Sequence, residues 1–243
     1  MTENMSVDAT ALRCATVTEN WKRIREQMQE AALRAGRDER EITLLAATKT
    51  VPAEVINHAI GLGVTHIGEN RVQELCSKYD ALDKANCEIH LIGHLQTNKV
   101  RQIADKVCMI QSVDSLRLAE EISRVCAAHE KKMRVLVEVN VGNEENKSGI
   151  LPEQAEEFCS QIAQFPAIQV CGLMAIPPIC EKETEIREYF AQMRKLFLDI
   201  RAKKLDNIHM EHLSMGMSGD FAAAIQEGST MIRVGSALFG SRI

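Results

Sequence analysis

Short apolar segments alternate with amphipathic or charged segments along most of the chain. Eight apolar segments have the length and the β-branched content of buried strands, and helical patterns separate them. Strands that are joined through helices pair in parallel, by right-handed crossovers. The predicted strands cover residues 42–48, 66–68, 89–93, 108–113, 135–141, 168–176, 208–213 and 231–234.

Eight such strand–helix units favour a closed barrel over an open doubly wound sheet. The 243 residues also suit one α/β domain of the (β/α)8, or TIM barrel, type. No linker, low-complexity tract or repeat divides the sequence. We therefore predict a single barrel over residues 16–243, with an extra N-terminal helix at 17–35 and a flexible tail at 1–15. Asp114 is the expected N-cap of a helix at 115–129, and the other helices are predicted at 52–62, 71–82, 100–105, 152–164, 181–205 and 221–227.

The composition excludes several classes of protein. A net charge of -5 argues against a general nucleic-acid binder, which would usually be basic. No apolar run approaches the length of a membrane span, and the polar N-terminus does not have the pattern of a secretory signal. The eight scattered cysteines are expected to be reduced thiols. We predict a cytoplasmic protein without nucleic-acid or membrane partners.

Lys49 ends the first predicted strand and is soon followed by Pro52, which suits the start of a helix. This order places an amine at the C-terminal mouth of the barrel, where ligands bind. A partly desolvated lysine there can lose its proton and form a Schiff base with an aldehyde. From the local pattern alone, the alternative is a strand-end lysine that points into water.

Polar side chains collect at the C-terminal ends of nearly all the predicted strands. A purely structural barrel has no need of amides, hydroxyls and bases at so many of these positions, which carry function in barrels. Besides Lys49, these positions are 69–71, 94–99, 111–112, Asn140 with 147–149, Met174 near 177–178, 214–220 and 233–236.

The last two loops have the composition of a phosphate site. Ser214 and Ser218 precede a predicted helix, and Gly235 and Ser236 follow the last strand. Small residues let backbone N–H groups approach an anion, and barrels commonly hold phosphate after strands 7 and 8. The alternative is that these glycines serve turns only.

A lysine after strand 1 and a phosphate site after strands 7 and 8 together suit pyridoxal 5'-phosphate (PLP). Its aldehyde would meet Lys49 and its phosphate would meet the serine and glycine loops. Arg233, at the end of strand 8, could reach the pyridine nitrogen.

Several motifs together resemble the pyridoxal phosphate homeostasis protein family, over residues 42–240. HLQTNK and LSMGMS are highly specific in combination. The matching stretches are ATKT at 47–50, PAE at 52–54, GENRVQE at 68–74, HLIGHLQTNK at 90–99, QSVD at 111–114, GLM at 172–174, HLSMGMSGD at 212–220 and GSTMIRVGSALFG at 228–240.

The resemblance implies a barrel like the N-terminal domain of alanine racemase (PLP fold type III), with PLP bound covalently to Lys49. It implies phosphate contacts from Ser218, Gly235 and Ser236, with Ser214 nearby. It also places Arg233 at the pyridine nitrogen and Asn70 and Met174 near the ring.

The residues argue against strong catalysis. Arg233 stays charged and can only donate a hydrogen bond, so it cannot keep the pyridine protonated. A racemase also needs a second base, and related racemases take a tyrosine from a further domain for which this sequence leaves no room. Tyr79 and Tyr189 both fall in predicted helices. No histidine or cysteine spacing is that of a metal motif, so we predict neither catalytic residues nor a metal.

The predicted function is therefore a monomeric carrier and regulator of PLP that exchanges it with apo PLP-dependent enzymes or with the free pool. One alternative is a monomeric PLP-dependent amino-acid racemase. Another is a phosphate-ligand barrel enzyme in which Lys49 forms a Schiff base with a sugar.

Overall fold

The computed structural model describes residues 2–240, and the side chains of residues 9–240. Eight parallel strands close into a barrel in sequence order, so the predicted fold class is confirmed. The strands are β1 (Thr43–Ala47), β2 (His66–Glu69), β3 (Glu88–Leu91), β4 (Met109–Val113), β5 (Met133–Val139), β6 (Ile168–Ala175), β7 (Ile208–Ser214) and β8 (Met231–Val234).

Helices lie between the strands and precede them, as the pattern predicts. Two of them, α3 and α6, are shorter than predicted because one end of each passes into a single 3-10 turn. The helices are α1 (Thr2–Arg34), α2 (Ala53–Gly61), α3 (Val72–Lys78), α4 (Val100–Ile103), α5 (Leu116–Ala127), α6 (Ala155–Ile162), α7 (Glu183–Ala202), α8 (Phe221–Gln226) and α9 (Ser236–Phe239).

The first helix differs most from its prediction. It runs back to Thr2, through the stretch for which the sequence predicts a tail, and Cys14 packs against the core. Val17, Ile24 and Met28 are fully buried, at helical spacing, and α1 packs against α2, α8 and α9. Met1 lies outside the described residues. α1 therefore covers one side of the barrel as an integral part of it.

Asp114 is not the N-cap of α5. That position belongs to Ser115, whose side chain makes no capping hydrogen bond, and the carboxylate of Asp114 lies 4.0 Å from Nδ1 of His94. All eight cysteines are free, as predicted. Within residues 2–240, no helix is long and apolar enough to cross a membrane.

The interior of the barrel is polar at both ends and apolar in between. Its apolar middle contains Met109, Leu136 and Cys171 of one small cluster and Leu45 and Met231 of another, all separate from the main core under the helices. The side chain of Gln111 crosses this interior from β4 to reach β7 and β8. Charged and hydrogen-bonding side chains lie above and below this middle layer.

Gly172 sits at an irregularity where the register of β6 shifts against both of its neighbours. Its φ of +147° is one that side chains rarely adopt, and an added Cβ would lie 1.8 Å from the carbonyl oxygen of His212. Only glycine lets β6 and β7 approach this closely.

We expect Gly172→Ala to lower the free energy of unfolding by about 3 kcal/mol, because the added carbon meets backbone that cannot move aside. Urea unfolding measures the change. Gly61→Ala is the control, since a Cβ there has nothing within 4 Å and should change stability by about 1 kcal/mol or less. Equal stability of the two variants would contradict the steric argument.

Candidate cofactor-binding site

A cavity of about 310 Å³ opens at the C-terminal mouth of the barrel, between the loops that follow β1, β7 and β8. Its size is at the lower end for small-molecule sites. The structure brings five of the eight predicted site residues together in its lining, and these are Lys49, Ser218, Arg233, Gly235 and Ser236. The remaining lining residues are Arg13, Ala47, Thr50, Val51, Met217, Gly219, Phe239 and Gly240.

The backbone on both sides of Lys49 is held by Lys78 of α3. Its ammonium donates hydrogen bonds to the carbonyl oxygens of Thr48, at 2.9 Å, and Val51, at 3.1 Å. The same ammonium lies 2.6 Å from Oε1 of Glu69, which also accepts a hydrogen bond from the hydroxyl of Thr48. Lys78 therefore fixes the loop that carries Lys49 without lining the cavity.

Thr50, next to Lys49, adopts a left-handed backbone conformation with φ of 63°. A threonine rarely adopts this conformation, so the surrounding contacts must hold it. The carboxylate of Glu74 accepts a hydrogen bond from the N–H of Thr50 and pairs with Lys78 at 2.9 Å. The turn that directs Lys49 into the cavity is thus fixed from both sides.

Glu69 is fully buried at the end of β2. Burial raises the pKa of this carboxyl, and its hydrogen bonds with Lys78 and Thr48 oppose that rise. Among the described residues, its Oε2 has no hydrogen-bond partner. A buried carboxylate of this kind depends on its ion pair, which couples Glu69 to the presence of Lys78.

Arg233 points from β8 into the upper end of the barrel and is 4% exposed. Its guanidinium donates to the hydroxyl of Ser214 at 2.7 Å and to the carbonyl oxygen of Ala175 at 2.8 Å. Burial lowers the pKa of Arg233 to about 10, and the negative charges of Glu138 and Asp220 partly oppose this fall. The side chain is therefore still a cation at neutral pH and can only donate hydrogen bonds.

Ser214 supports Arg233 from below and does not line the cavity. It is fully buried, and its hydroxyl donates to Oε1 of Gln111 at 2.7 Å. Nε2 of Gln111 lies 2.8 Å from Nδ1 of His90. The structure therefore places Ser214 within a hydrogen-bond chain inside the barrel.

Backbone N–H groups converge at the loop after β8. The N–H groups of Gly235 and Ala237 donate to the hydroxyl of Ser218, at 3.1 and 3.2 Å. A Cβ on Gly235 would lie 3.3 Å from the carbonyl oxygen of Ala47, so a larger residue would crowd β1. Hydroxyl and N–H donors of this kind suit the oxygens of a phosphate.

Asn70 and Met174 lie outside the cavity lining. Met174 is fully buried and packs with Met109, Leu136 and Cys171 inside the barrel. Asn70 directly follows β2. Its backbone packs closely against Gly93, where an added Cβ would lie 2.3 Å from the carbonyl oxygen of Asn70. Contact of these two side chains with a cofactor ring stays a prediction.

The charges around Arg233 also include Glu138, which the sequence did not single out, and Asp220 of the 214–220 loop. Glu138, near the end of β5, is 8% exposed, and burial together with the charge of Asp114 raises its pKa to about 7, while Arg233 opposes the rise. Burial also raises the pKa of Asp220. The Glu74–Lys78 spacing is a sequence signal of an ion pair on α3, but its link to Glu69 appears only in the folded barrel.

Comparisons with known proteins agree on one family. The family model described as alanine racemase, N-terminal domain, matches residues 12–243. A pyridoxal phosphate homeostasis protein of Aquifex aeolicus is 45% identical over 224 residues, 92% of this chain and 97% of the relative. One of Escherichia coli K12 is 38% identical over 229 residues, with 93% and 97% covered. The chain belongs to the pyridoxal phosphate homeostasis protein family.

Solved structures agree with this assignment. A protein of unknown function from Bifidobacterium adolescentis superposes with a TM-score of 0.88 at 39% identity, over 93% of this chain and 96% of its own. PipY of Synechococcus elongatus PCC7942, with PLP bound, gives 0.76 at 34% identity, over 89% and 100%. Alanine racemase of Streptomyces coelicolor gives 0.72 at 16% identity, over 94% and 57%, which shows the shared fold alone.

Glu138→Gln should change how stability depends on pH. Because the pKa of Glu138 is raised from 4.5 to about 7 on folding, the folded state holds this proton more tightly than the unfolded state. The stabilisation is present below pH 4.5 and is lost as the pH rises through about 7. We expect the wild type to lose about 3 kcal/mol over this window relative to the variant.

Urea unfolding at a series of pH values measures this difference. The control is Glu145→Gln, which changes an exposed glutamate and should follow the wild-type profile. Parallel profiles for the wild type and Glu138→Gln would show that Glu138 is ionised throughout.

Proposed function

We propose that this chain binds PLP in the cavity at the barrel mouth and serves in PLP homeostasis as a carrier. The observation that carries the proposal is the lining of the cavity, where Lys49 and Arg233 face the donors of Ser218, Gly235 and Ser236. PLP offers an aldehyde, a phosphate and a ring nitrogen, and these residues supply a chemical match for each. The relatives' name and the PLP-bound PipY structure support the same ligand.

Each residue has a distinct role in this proposal. The amine of Lys49 forms the covalent Schiff-base link, held in place by Lys78 through the backbone of Thr48. The hydroxyl of Ser218 and the N–H groups of the β8–α9 loop bind the phosphate. The guanidinium of Arg233 donates to the ring nitrogen and so favours its unprotonated form.

The lining favours a carrier over an enzyme. When PLP is bound, it can act as an electron sink for reactions at amino-acid carbons. Proton transfer on both faces of such a substrate needs two bases. The ionisable residues among those described in the lining are Arg13, Lys49 and Arg233. Of these three, only the lysine can act as a base near neutral pH, because arginine stays protonated.

The described tyrosines do not supply a second base. Tyr79 lies at the end of α3 with the ammonium groups of Lys84 and Lys106 over its ring, at 4.6 and 5.4 Å from the centroid. Tyr189 lies within α7 and packs against the core under the helices. A monomeric amino-acid racemase, the second candidate function, would need another base to enter the cavity.

The proposal extends to the setting in which the protein works. We propose that it is a cytoplasmic monomer that passes PLP to apo PLP-dependent enzymes, without nucleic-acid or membrane partners. The eight free thiols suit a reducing compartment. The net charge of -5 does not suit a polyanion partner.

Lys49→Ala should abolish covalent binding of PLP, because it removes the amine that would attack the aldehyde. The wild type loaded with PLP is expected to show a visible absorption band that the variant lacks. After borohydride reduction, mass spectrometry should find a phosphopyridoxyl group on Lys49, whereas a sugar adduct there would support a phosphate-ligand barrel enzyme that forms a Schiff base with a sugar. Lys195→Ala, on the exposed face of α7, is the control. An unchanged absorption band in Lys49→Ala would show that Lys49 is not the residue that binds PLP covalently.

Transfer of the cofactor tests the carrier function. When the PLP-loaded protein is mixed with an apo PLP-dependent enzyme, the activity of that enzyme should return faster than with the same concentration of free PLP. The measurement is the rate of activation in a single turnover, with the Lys49→Ala protein plus free PLP as the control.

If the loaded protein activates the apo enzyme no faster than free PLP does, direct delivery is contradicted and the protein stores PLP. Rapid exchange of the Cα proton of alanine or serine in heavy water would contradict a non-catalytic role and favour the racemase.

A further inference from the structure

Two histidines and a glutamate meet at the N-terminal end of the barrel interior, opposite the cofactor cavity. His66 is the first residue of β2. Glu88 and His90 lie two residues apart at the start of β3, so their side chains lie on the same face of that strand. One ligand atom from each of the three lies within 4.8 Å of the others. The proposed function uses none of these side chains.

The two distances from the carboxylate of Glu88 to the imidazoles are close to those between neighbouring ligands of a metal ion. Oε2 of Glu88 lies 3.8 Å from Nε2 of His66 and 3.6 Å from Nε2 of His90. Zinc binds nitrogen and oxygen ligands at about 2.0–2.2 Å, so neighbouring ligands of a tetrahedral site lie about 3.4 Å apart. The two distances to Glu88 exceed this value by a few tenths of an ångström, and a nitrogen of each imidazole lies within 4.8 Å of the other.

The buried imidazole of His90 has a nitrogen atom whose hydrogen-bonding capacity is unsatisfied. The side chain is 1% exposed, and its Nε2 has no hydrogen-bond partner among the described residues. A buried polar atom without a partner is costly, so native proteins rarely leave one. A metal ion at this nitrogen would satisfy it.

The second nitrogen of each imidazole is held in place. Nδ1 of His90 lies 2.8 Å from the amide of Gln111, and Nδ1 of His66 lies 2.9 Å from the hydroxyl of Thr65. Such contacts orient metal-binding histidines. Coordination through Nε2 of His90 moves its proton to Nδ1, so the amide of Gln111 must then present its oxygen.

The charge around Glu88 is compatible with a cation. Nη1 of Arg134 lies 3.6 Å from Oε2 of Glu88, and this guanidinium also contacts His212 at 2.8 Å and Glu211 at 3.9 Å. Arg134 therefore keeps other partners when Glu88 turns to a metal ion. The thiol of Cys108, 3.3 Å from the same carboxylate oxygen, is a neighbouring soft donor.

We propose that His66, Glu88 and His90 form a binding site for a divalent transition-metal ion of the zinc type. Two imidazoles and one carboxylate are a ligand set that zinc favours, with a fourth position left for water or for Cys108. Glu88 is 48% exposed at its side chain, so the site is open to solvent. The sequence predicted no metal because the ligands come from two strands that the barrel brings together.

Titration of the PLP-loaded protein with Zn²⁺, followed by calorimetry, tests the site. We expect one ion to bind per chain and to raise the melting temperature. His66→Ala and Glu88→Gln should each weaken binding by at least about tenfold. Both residues are partly exposed, so these variants should fold, and the melting temperature without metal checks that they do.

Two controls make the result specific. His129→Ala removes an exposed histidine elsewhere and should leave the affinity unchanged. Co²⁺ in place of Zn²⁺ should give visible absorption bands that both ligand variants lose, and Cys108→Ser should alter these bands if the thiol is the fourth ligand. Absence of one-to-one binding, or unchanged affinity in His66→Ala and Glu88→Gln, would overturn the proposal.

Discussion

The buried charge of Arg233 constrains the upper half of the barrel more than any other feature. Removing a guanidinium from water costs several kcal/mol, and only good hydrogen bonds and opposite charges offset that cost. The hydroxyl of Ser214 and the carbonyl oxygen of Ala175 satisfy the two terminal nitrogens, and Glu138 and Asp220 supply negative charge. Arg233 and Met231 lie two residues apart in β8, so their side chains share one face of the strand. Because Met231 packs inside the barrel, the guanidinium of Arg233 also points inward.

The cavity is cationic although the chain as a whole is acidic. Arg13, Lys49 and Arg233 line it, whereas the carboxylates nearby lie behind its walls. A concave site of one sign concentrates ligands of the opposite sign, which suits an anion with an electrophilic carbon. The ion pair of Lys78 with Glu69 allows this arrangement, because it positions Lys49 through backbone contacts and adds no carboxylate to the lining.

The sequence predicts the barrel well because each strand carries its own local signal. Eight apolar strand patterns, with seven helical patterns between them and polar residues at nearly all the strand ends, repeat the same signal, so an error at one boundary does not change the fold. The predicted residues that line the cavity lie at strand ends or in the loops that follow them, as for Lys49, Arg233 and Gly235. Lys78 and Glu138 act across the barrel, and their roles depend on register and burial that no local pattern encodes. Asp114 is not the cap because α5 begins at Leu116, so the N-cap position falls on Ser115, which has extended backbone.

A chain of hydrogen bonds joins the two polar ends of the barrel, and Arg233 sets its direction. Because a guanidinium only donates, the hydroxyl of Ser214 accepts from Arg233 and donates onward to Oε1 of Gln111. The amide nitrogen is then left to face Nδ1 of His90, which must accept, so the proton of the imidazole sits on Nε2 beside Glu88. A cation on Nε2 would reverse the amide and deprive the Ser214 hydroxyl of its acceptor. Ligands at the two ends would therefore change each other's affinity by the same factor, since such coupling is reciprocal.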